Sequence, residues 1–381
     1  MNKKLLTGCG FLLFMFLFCA CTQTPSSSVS GLYPDNFKAE KDGQKTGLYI
    51  LKNSQGMEVC VTNFGGRVVS LMVPDKEGTP LDVVLGFDNV TDYINIPTDF
   101  GASIGRYANR IANGSFTLDS TVYDLPKNNF GHCLHGGPNG WQYKVYEVEK
   151  VTDSSIILVL HSPDGDESFP GNLTARVTYN LTEDNALEIG YEATTDKPTV
   201  INMTNHSYFN LTGNPVNNIL SHVLYINSQL FTPVGETLIP TGEMVPVAGT
   251  PMDFTTPKAI GKDIDSTGFE QIKFGNGFDH NWVLDTKGDM GTVAATLFSP
   301  ESGIKMDVYT DEPGIQVYSG NFLNGTVTGK RGITYLTRAA VCLETQHYPD
   351  SPNKPEWPSV VLRPGETYKS HCTYKFSTVT Y

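Results

Sequence analysis

The sequence predicts an all-β protein built as one large antiparallel β-sandwich. Three observations carry that reading. Leu173, Ala175, Val177, Tyr179 and Leu181 alternate with Thr174, Arg176, Thr178 and Asn180, the period of two expected of a strand with one wet face. No window of about twelve residues or more sustains a helical period with caps. The 37 Gly and 23 Pro break the 381-residue chain at about one position in six, which suits many short strands joined by turns.

From the N-terminus, Lys3 and Lys4 precede an unbroken apolar run over residues 11–19. That run suits the core of a signal peptide and falls short of the roughly 20 residues a spanning helix needs. Residues 1–20 therefore read as a leader. Ala20-Cys21 resembles a bacterial lipoprotein cleavage box, with Phe18 where Leu is usual and Cys19 where a smaller residue is usual, so Cys21 is the candidate lipidation site. Residues 21–30, polar with one Pro and several Ser, read as a flexible tether. Within the body, 156–160 is a short apolar run, and 173–181 is the alternating strand. Thr182-Glu183-Asp184-Asn185 turns the chain, and Leu187, Ile189, Tyr191 and Ala193 resume the alternation as the second arm of a hairpin. Residues 360–362 add a further apolar run. No Pro-rich or charged linker follows Ser30 and no fixed-period repeat is present, so 31–381 reads as a single domain rather than two domains, a propeller or a solenoid.

The formal net charge is −13, and −15 once Lys3 and Lys4 leave with the leader. That balance argues against nucleic acid or an anionic lipid surface as partner and leaves a small neutral ligand open; the membrane is met only through a lipid on Cys21. Cys60, Cys133, Cys342 and Cys372 remain in the mature domain without CxxC spacing. They are too few for a disulfide scaffold and read mostly as small buried apolar groups, with one bridge left open.

Five polar clusters interrupt the β pattern. In GRYANRI (105–111), Arg106 and Arg110 fall on one face of an ideal strand with Ala108 between them, and Asn109 points away unless the chain bulges. Fork-shaped donors beside an amide suit a hydroxylated ligand, and equally a surface ion-pair strand. In LHGG (134–137), two glycines let backbone approach a ligand beside His135, although a His in such a turn is as often structural. His132, Cys133 and His135 invite a metal reading, but 132 and 135 face opposite sides of a strand and no carboxylate sits at ligand spacing. In TNHSYFN (204–210), His206 is a candidate proton carrier. In GFDHNW (277–282), Asp279 and His280 face opposite sides, and Asp279 is the candidate against a turn role; Asp253 reads as a turn residue. In CLETQ (342–346), Glu344 follows apolar residues on an apparent core strand, where it serves either as a base or as half of a buried ion pair. Upstream, Gln316 lies between apolar neighbours.

These segments, with PGIQVYSGNF (313–322) and LRPGE (362–366), resemble the aldose 1-epimerase family in the family's order from about Tyr49 to Phe376. The resemblance implies a twisted antiparallel β-sandwich with a sugar cleft, no metal or organic cofactor, and a free monosaccharide as substrate. Carried over by motif, Glu344 is the general base and His206 the general acid. Asn109, Arg110, His135, Asp279 and Gln316 hold the sugar, with Ser207 and Tyr208 beside the acid. The resemblance thus selects Arg110 over Arg106. Trp141 departs from the Phe usual at its place, which bears on sugar preference. A non-catalytic sugar-binding module has no need of both Glu344 and His206, and a glycoside hydrolase needs two carboxylates but no histidine.

Overall fold

The computed structural model describes residues 28–379. The leader, Cys21 and residues 22–27 of the expected tether lie outside the described residues. Ser28 to Ser30, placed in that tether by composition, are docked: Ser28 is buried, and the Val29 and Ser30 N–H groups donate to the buried Glu58 carboxylate at 3.0 and 3.3 Å. Two backbone donors meeting one carboxylate outweigh the flexibility that Ser-rich composition suggests.

Antiparallel strands dominate. A nine-stranded sheet carries the expected hairpin at its heart, with Leu173–Leu181 paired to Ala186–Thr195 in the register Leu181↔Leu187. Tyr368–Thr378 lies on the other side of the hairpin and bridges it to Ile304–Thr310. A six-stranded sheet runs in the order Tyr208–Phe209, Val341–Gln346, Gly314–Tyr318, Asp279–Val283, Leu230–Thr232, Val245–Pro246. A four-stranded sheet holds Leu48–Lys52, Glu58–Thr62, Arg67–Pro74 and Pro80–Asp82. The helices that interrupt them are short: Val90–Asn95, capped by the Asn89 side chain on the Asp92 N–H, and Glu270–Gly275.

One apolar core joins the three sheets. Leu158, Val177, Ile189, Met306 and Tyr374 come from the largest sheet, Trp282, Ile315, Val317 and Leu343 from the six-stranded one, and Val59, Val61 and Leu71 from the smallest. Full burial of each aliphatic side chain contributes about 1.5–3 kcal/mol. Strand alternation then decides the rest. Because Leu343 and Ile315 face this core, Glu344 and Gln316 must face the opposite side, and the same parity sends Asp279 there while His280 packs against Phe231 and Trp282. Cys60, Cys133, Cys342 and Cys372 are all buried and free. Among the described residues no helix is long and apolar enough to cross a membrane.

Candidate active site

The outer face of the six-stranded sheet floors a cavity of about 290 Å³, close to the lower end of the roughly 300–1,000 Å³ usual for ligand sites. Glu344 rises from the middle of Val341–Gln346, directly across from Gln316 on the neighbouring strand. Asp279 comes from the next strand, and its Oδ1 accepts from Gln316 Nε2 at 2.7 Å. Gln316 therefore reaches the cavity through Asp279.

His206 ends the short strand Thr204–His206, paired with Ala102–Ile104. Thr204 Oγ1 donates to the Thr345 carbonyl at 2.8 Å, which ties this strand to the one bearing Glu344. The result is a His206 Nε2 to Glu344 Oε1 distance of 3.5 Å. The Glu344 Oε2 and His206 Nδ1 atoms are buried without a protein partner. His206 stacks on Tyr208 with ring centroids 5.0 Å apart, and His135 meets it edge-on at 5.1 Å.

The histidines are not equivalent. A backbone N–H can donate only to a deprotonated ring nitrogen, so it fixes the tautomer. His135 Nδ1 accepts from the Asn109 N–H at 3.1 Å, leaving its proton on Nε2. His132, His222 and His280 are pinned likewise by the Asn113, Leu211 and Asp279 amides. His161, His347 and His371 pair with Thr174, Glu312 and Asp311 away from the cavity. Of the eight histidines, His206 alone lines the cavity with neither nitrogen held by a neighbour's backbone amide.

Asn109 adopts φ 62°, in the left-handed region, so the chain departs from strand geometry there. That turn corrects the expected shared face of the two arginines. Arg110 enters the cavity and donates from Nε to Asn129 Oδ1 at 2.9 Å, with its own N–H bonded to Asn109 Oδ1 at 2.8 Å. Arg106 instead turns into the protein, where it donates to Ser162 Oγ and the Pro170 carbonyl, both at 2.6 Å. The glycines of LHGG also act differently from expectation. A side chain at Gly136 would strike the Gly105 carbonyl, so the glycine serves close packing of two loops rather than approach of a ligand. Trp141 is buried against Gly105 and does not line the cavity, so it has no direct hold on sugar preference.

Burial dominates the electrostatics. It pushes the Glu344 carboxyl well above its usual range, with Asp279 and Asp99 adding to the rise and Arg110 opposing it. Burial also raises Asp279, against Arg110 and Gln316. It lowers His206, against Asp99 and Asp279, and takes His135 down to about 3, which keeps that ring neutral. Burial thus favours the neutral form of each partner, a protonated Glu344 and an unprotonated His206 ring, and one proton transfer across their 3.5 Å separation converts that state into the ion pair.

Asn109, Arg110, His135, His206, Tyr208, Asp279 and Glu344 line one cavity together. Ser207 does not: alternation turns it away from His206, and its N–H bonds back to Asn205 Oδ1. His132 and Cys133 are likewise elsewhere, Cys133 in an apolar cluster with its thiol pushed up to about 12 by burial. Asp253 makes a turn, accepting from the Thr255 N–H at 3.0 Å. Sequence reasoning missed Asp99, Asn129, Phe130, Tyr318 and Phe322, which together with Leu134 of LHGG complete the lining. Tyr318 was within reach, being two residues from Gln316 on the same strand face. Two donor sets, Asp99 with His135 and His206, and His206 with Cys342 and Glu344, have atoms within 4.8 Å of one another. Neither offers three ready ligand atoms: in the first set the Asn109 amide occupies His135 Nδ1 and leaves the proton on Nε2, and in the second burial holds the Cys342 thiol protonated.

This fold, with its polar cleft on the outer face of one sheet, is a galactose mutarotase-like β-sandwich. The aldose epimerase homologue from C. elegans superposes with a TM-score of 0.81 at 32% identity, over 88% of this chain and 100% of that one. The galactose 1-epimerase from Lactobacillus acidophilus superposes with a TM-score of 0.78 at 30% identity, over 90% and 98%. The aldose 1-epimerase family model matches residues 47–375, and the chain belongs to that family. It is 42% identical to the galactose mutarotase of Sus scrofa over 85% of this chain and 92% of that protein. It is 41% identical to the aldose 1-epimerase of Escherichia coli K12 over 88% and 96%.

Proposed function

We propose that this protein interconverts the α and β anomers of free hexoses such as galactose and glucose, with Glu344 and His206 as the proton-transferring pair. The observation that carries this reading is their 3.5 Å approach in the floor of a sugar-sized cavity. The anomeric hydroxyl and the ring oxygen share one carbon, so ring opening demands a base and an acid acting on two neighbouring oxygens at once.

Glu344 takes the proton of the anomeric hydroxyl while His206 gives one to the ring oxygen, and the carbon–oxygen bond breaks to leave a free aldehyde. After rotation about the bond next to the aldehyde, the ring hydroxyl attacks the other face and the two residues exchange roles. Each transfer supplies about 10²–10⁴-fold in rate. The His135 Nε2–H and the Arg110 guanidinium are donors for charge developing on those oxygens. Asp279, held by Gln316, anchors ring hydroxyls while the aldehyde turns.

Polarimetry on freshly dissolved α-D-glucose and α-D-galactose tests the reading. The wild type should accelerate the drift to equilibrium, and Glu344→Gln and His206→Asn should abolish most of the acceleration. A wild type that leaves the drift of a panel of aldoses unchanged refutes the activity. Variants that match an active wild type refute the residue roles alone.

A further inference from the structure

We propose that Asp99 is the counter-charge that keeps His206 able to carry a proton, making it a positioning residue for the acid–base step. The inference rests on the reading of His206 as the proton carrier. An oxygen of the Asp99 carboxyl lies within 4.8 Å of a ring nitrogen of both His206 and His135. Its Oδ1 is buried and has no hydrogen-bond partner in the protein. A carboxylate left without a donor in a cleft wall is costly unless a positive charge answers it. His135 cannot answer, because the Asn109 amide occupies its Nδ1. His206 can, having an unpartnered Nδ1.

The backbone that presents Asp99 is fixed. The fully buried Arg67 donates to the carbonyls on either side of it, Phe100 O at 2.9 Å and Thr98 O at 3.0 Å. The Ala102 N–H donates to the Asp99 carbonyl, and the Gly101 N–H to the His206 carbonyl, each at 3.0 Å. A side chain at Gly101 would strike the Val68 carbonyl, so the loop lies tight against Arg67–Pro74, while the Gly101–His206 hydrogen bond sets its separation from the His206 strand. This geometry places a charge beside the imidazole with little freedom to withdraw.

The other groups around His206 leave Asp99 a distinct part. Glu344 and Cys342 approach from Val341–Gln346, the first as proton partner and the second as a protonated thiol. Asp279 acts from the far strand, shared with Arg110 and Gln316. Tyr208 and Tyr318 pack against the ring with phenols that burial keeps neutral. Arg67 pulls the imidazole's pKa down, and Asp99 is the foremost charge pulling it up.

The test is the pH profile of kcat/KM for Asp99→Asn, which keeps the shape and removes the charge. Because Asp99 favours the protonated pair, its loss should move both limbs of the Glu344–His206 bell toward lower pH by about one unit. The NMR titration midpoint of the His206 imidazole should fall in parallel, and Asp99→Glu should restore much of both. Asp99→Ser, smaller and also neutral, is read alongside so that a folding defect in one variant does not decide the outcome. Superimposable bells, or a rise in KM with unmoved limbs, overturn the proposal, as does an unchanged His206 midpoint. A wild type without mutarotase activity overturns the function instead, and the NMR midpoint still judges the charge coupling.

Discussion

Glu344→Gln should do two opposite things to this protein: remove most of its activity and make it more stable. Loss of the base removes about 10²–10⁴-fold from the rate. The stability sign follows from what surrounds the carboxyl. Its Oε2 has no protein partner, and its Oε1 stands 3.5 Å from His206, beyond the roughly 2.7–3.2 Å of a good hydrogen bond. Two carboxyls, Asp279 and Asp99, repel its charge, and Arg110 alone attracts it. A carboxyl whose folded pKa lies above its unfolded one favours the unfolded chain from the unfolded pKa upward, so at neutral pH its ionisation opposes folding. The amide is isosteric and removes that opposition, and a gain of about 1 kcal/mol is the scale such relief commonly gives. Polarimetry and thermal melts at pH 5 and pH 8 measure both effects, and the stability gain should be larger at pH 8. A variant that turns over at the wild-type rate refutes the base assignment. A variant that melts below the wild type at both pH values refutes the electrostatic account.

Two further substitutions separate holding the sugar from holding the fold. Gln316→Leu removes the donor on Asp279 Oδ1 without touching the proton-transferring pair, so KM should rise about tenfold, the cost of one charge-assisted hydrogen bond, with kcat changed less. Steady-state polarimetry at several sugar concentrations reads that split. Arg106→Met strips donors from Ser162 and the Pro170 and Gly171 carbonyls far from the cavity. It should cost about 3 kcal/mol or more in denaturant unfolding while leaving the KM of the folded fraction intact.

Alternation made much of this legible in advance. A carboxylate flanked by Leu343 on a core strand has to face away from the core, and Asp279 parts from His280 for the same reason. The failures have physical causes as well. The strand rule puts Arg106 and Arg110 on one face because it takes no account of the left-handed turn at Asn109, which is held by the distant His135 ring and by the adjacent Arg110 N–H. Ser207 comes in beside His206 only with the family motif, and alternation turns it away from the cavity. Asp99 was invisible because its loop is placed by Arg67, a residue 32 positions upstream. Phe130 and Phe322, half or more exposed at the cavity wall, carry no periodic signal at all.

The charge inside the cavity also sharpens a point that net charge could raise only loosely. Asp99, Asp279 and Glu344 line it against a single lining cation, Arg110, whose Nε is already committed to Asn129. Arg67 lies close by but spends both terminal nitrogens on the Thr98, Phe100 and Gln142 carbonyls and does not line the cavity. A phosphorylated sugar would bring about two negative charges into this field and meet one cation, Arg110, already set among the three carboxyls. A penalty of only about 1.4 kcal/mol lowers kcat/KM tenfold, so D-glucose 6-phosphate should be at least that much poorer than D-glucose once the spontaneous rate is subtracted. Added salt should narrow the gap, because screening weakens a repulsion between a ligand and an open-mouthed site. Equal turnover of the two sugars at low salt would mean that the three carboxyls do not act as charges on the bound ring, and the anchoring role given to Asp279 would fall with them.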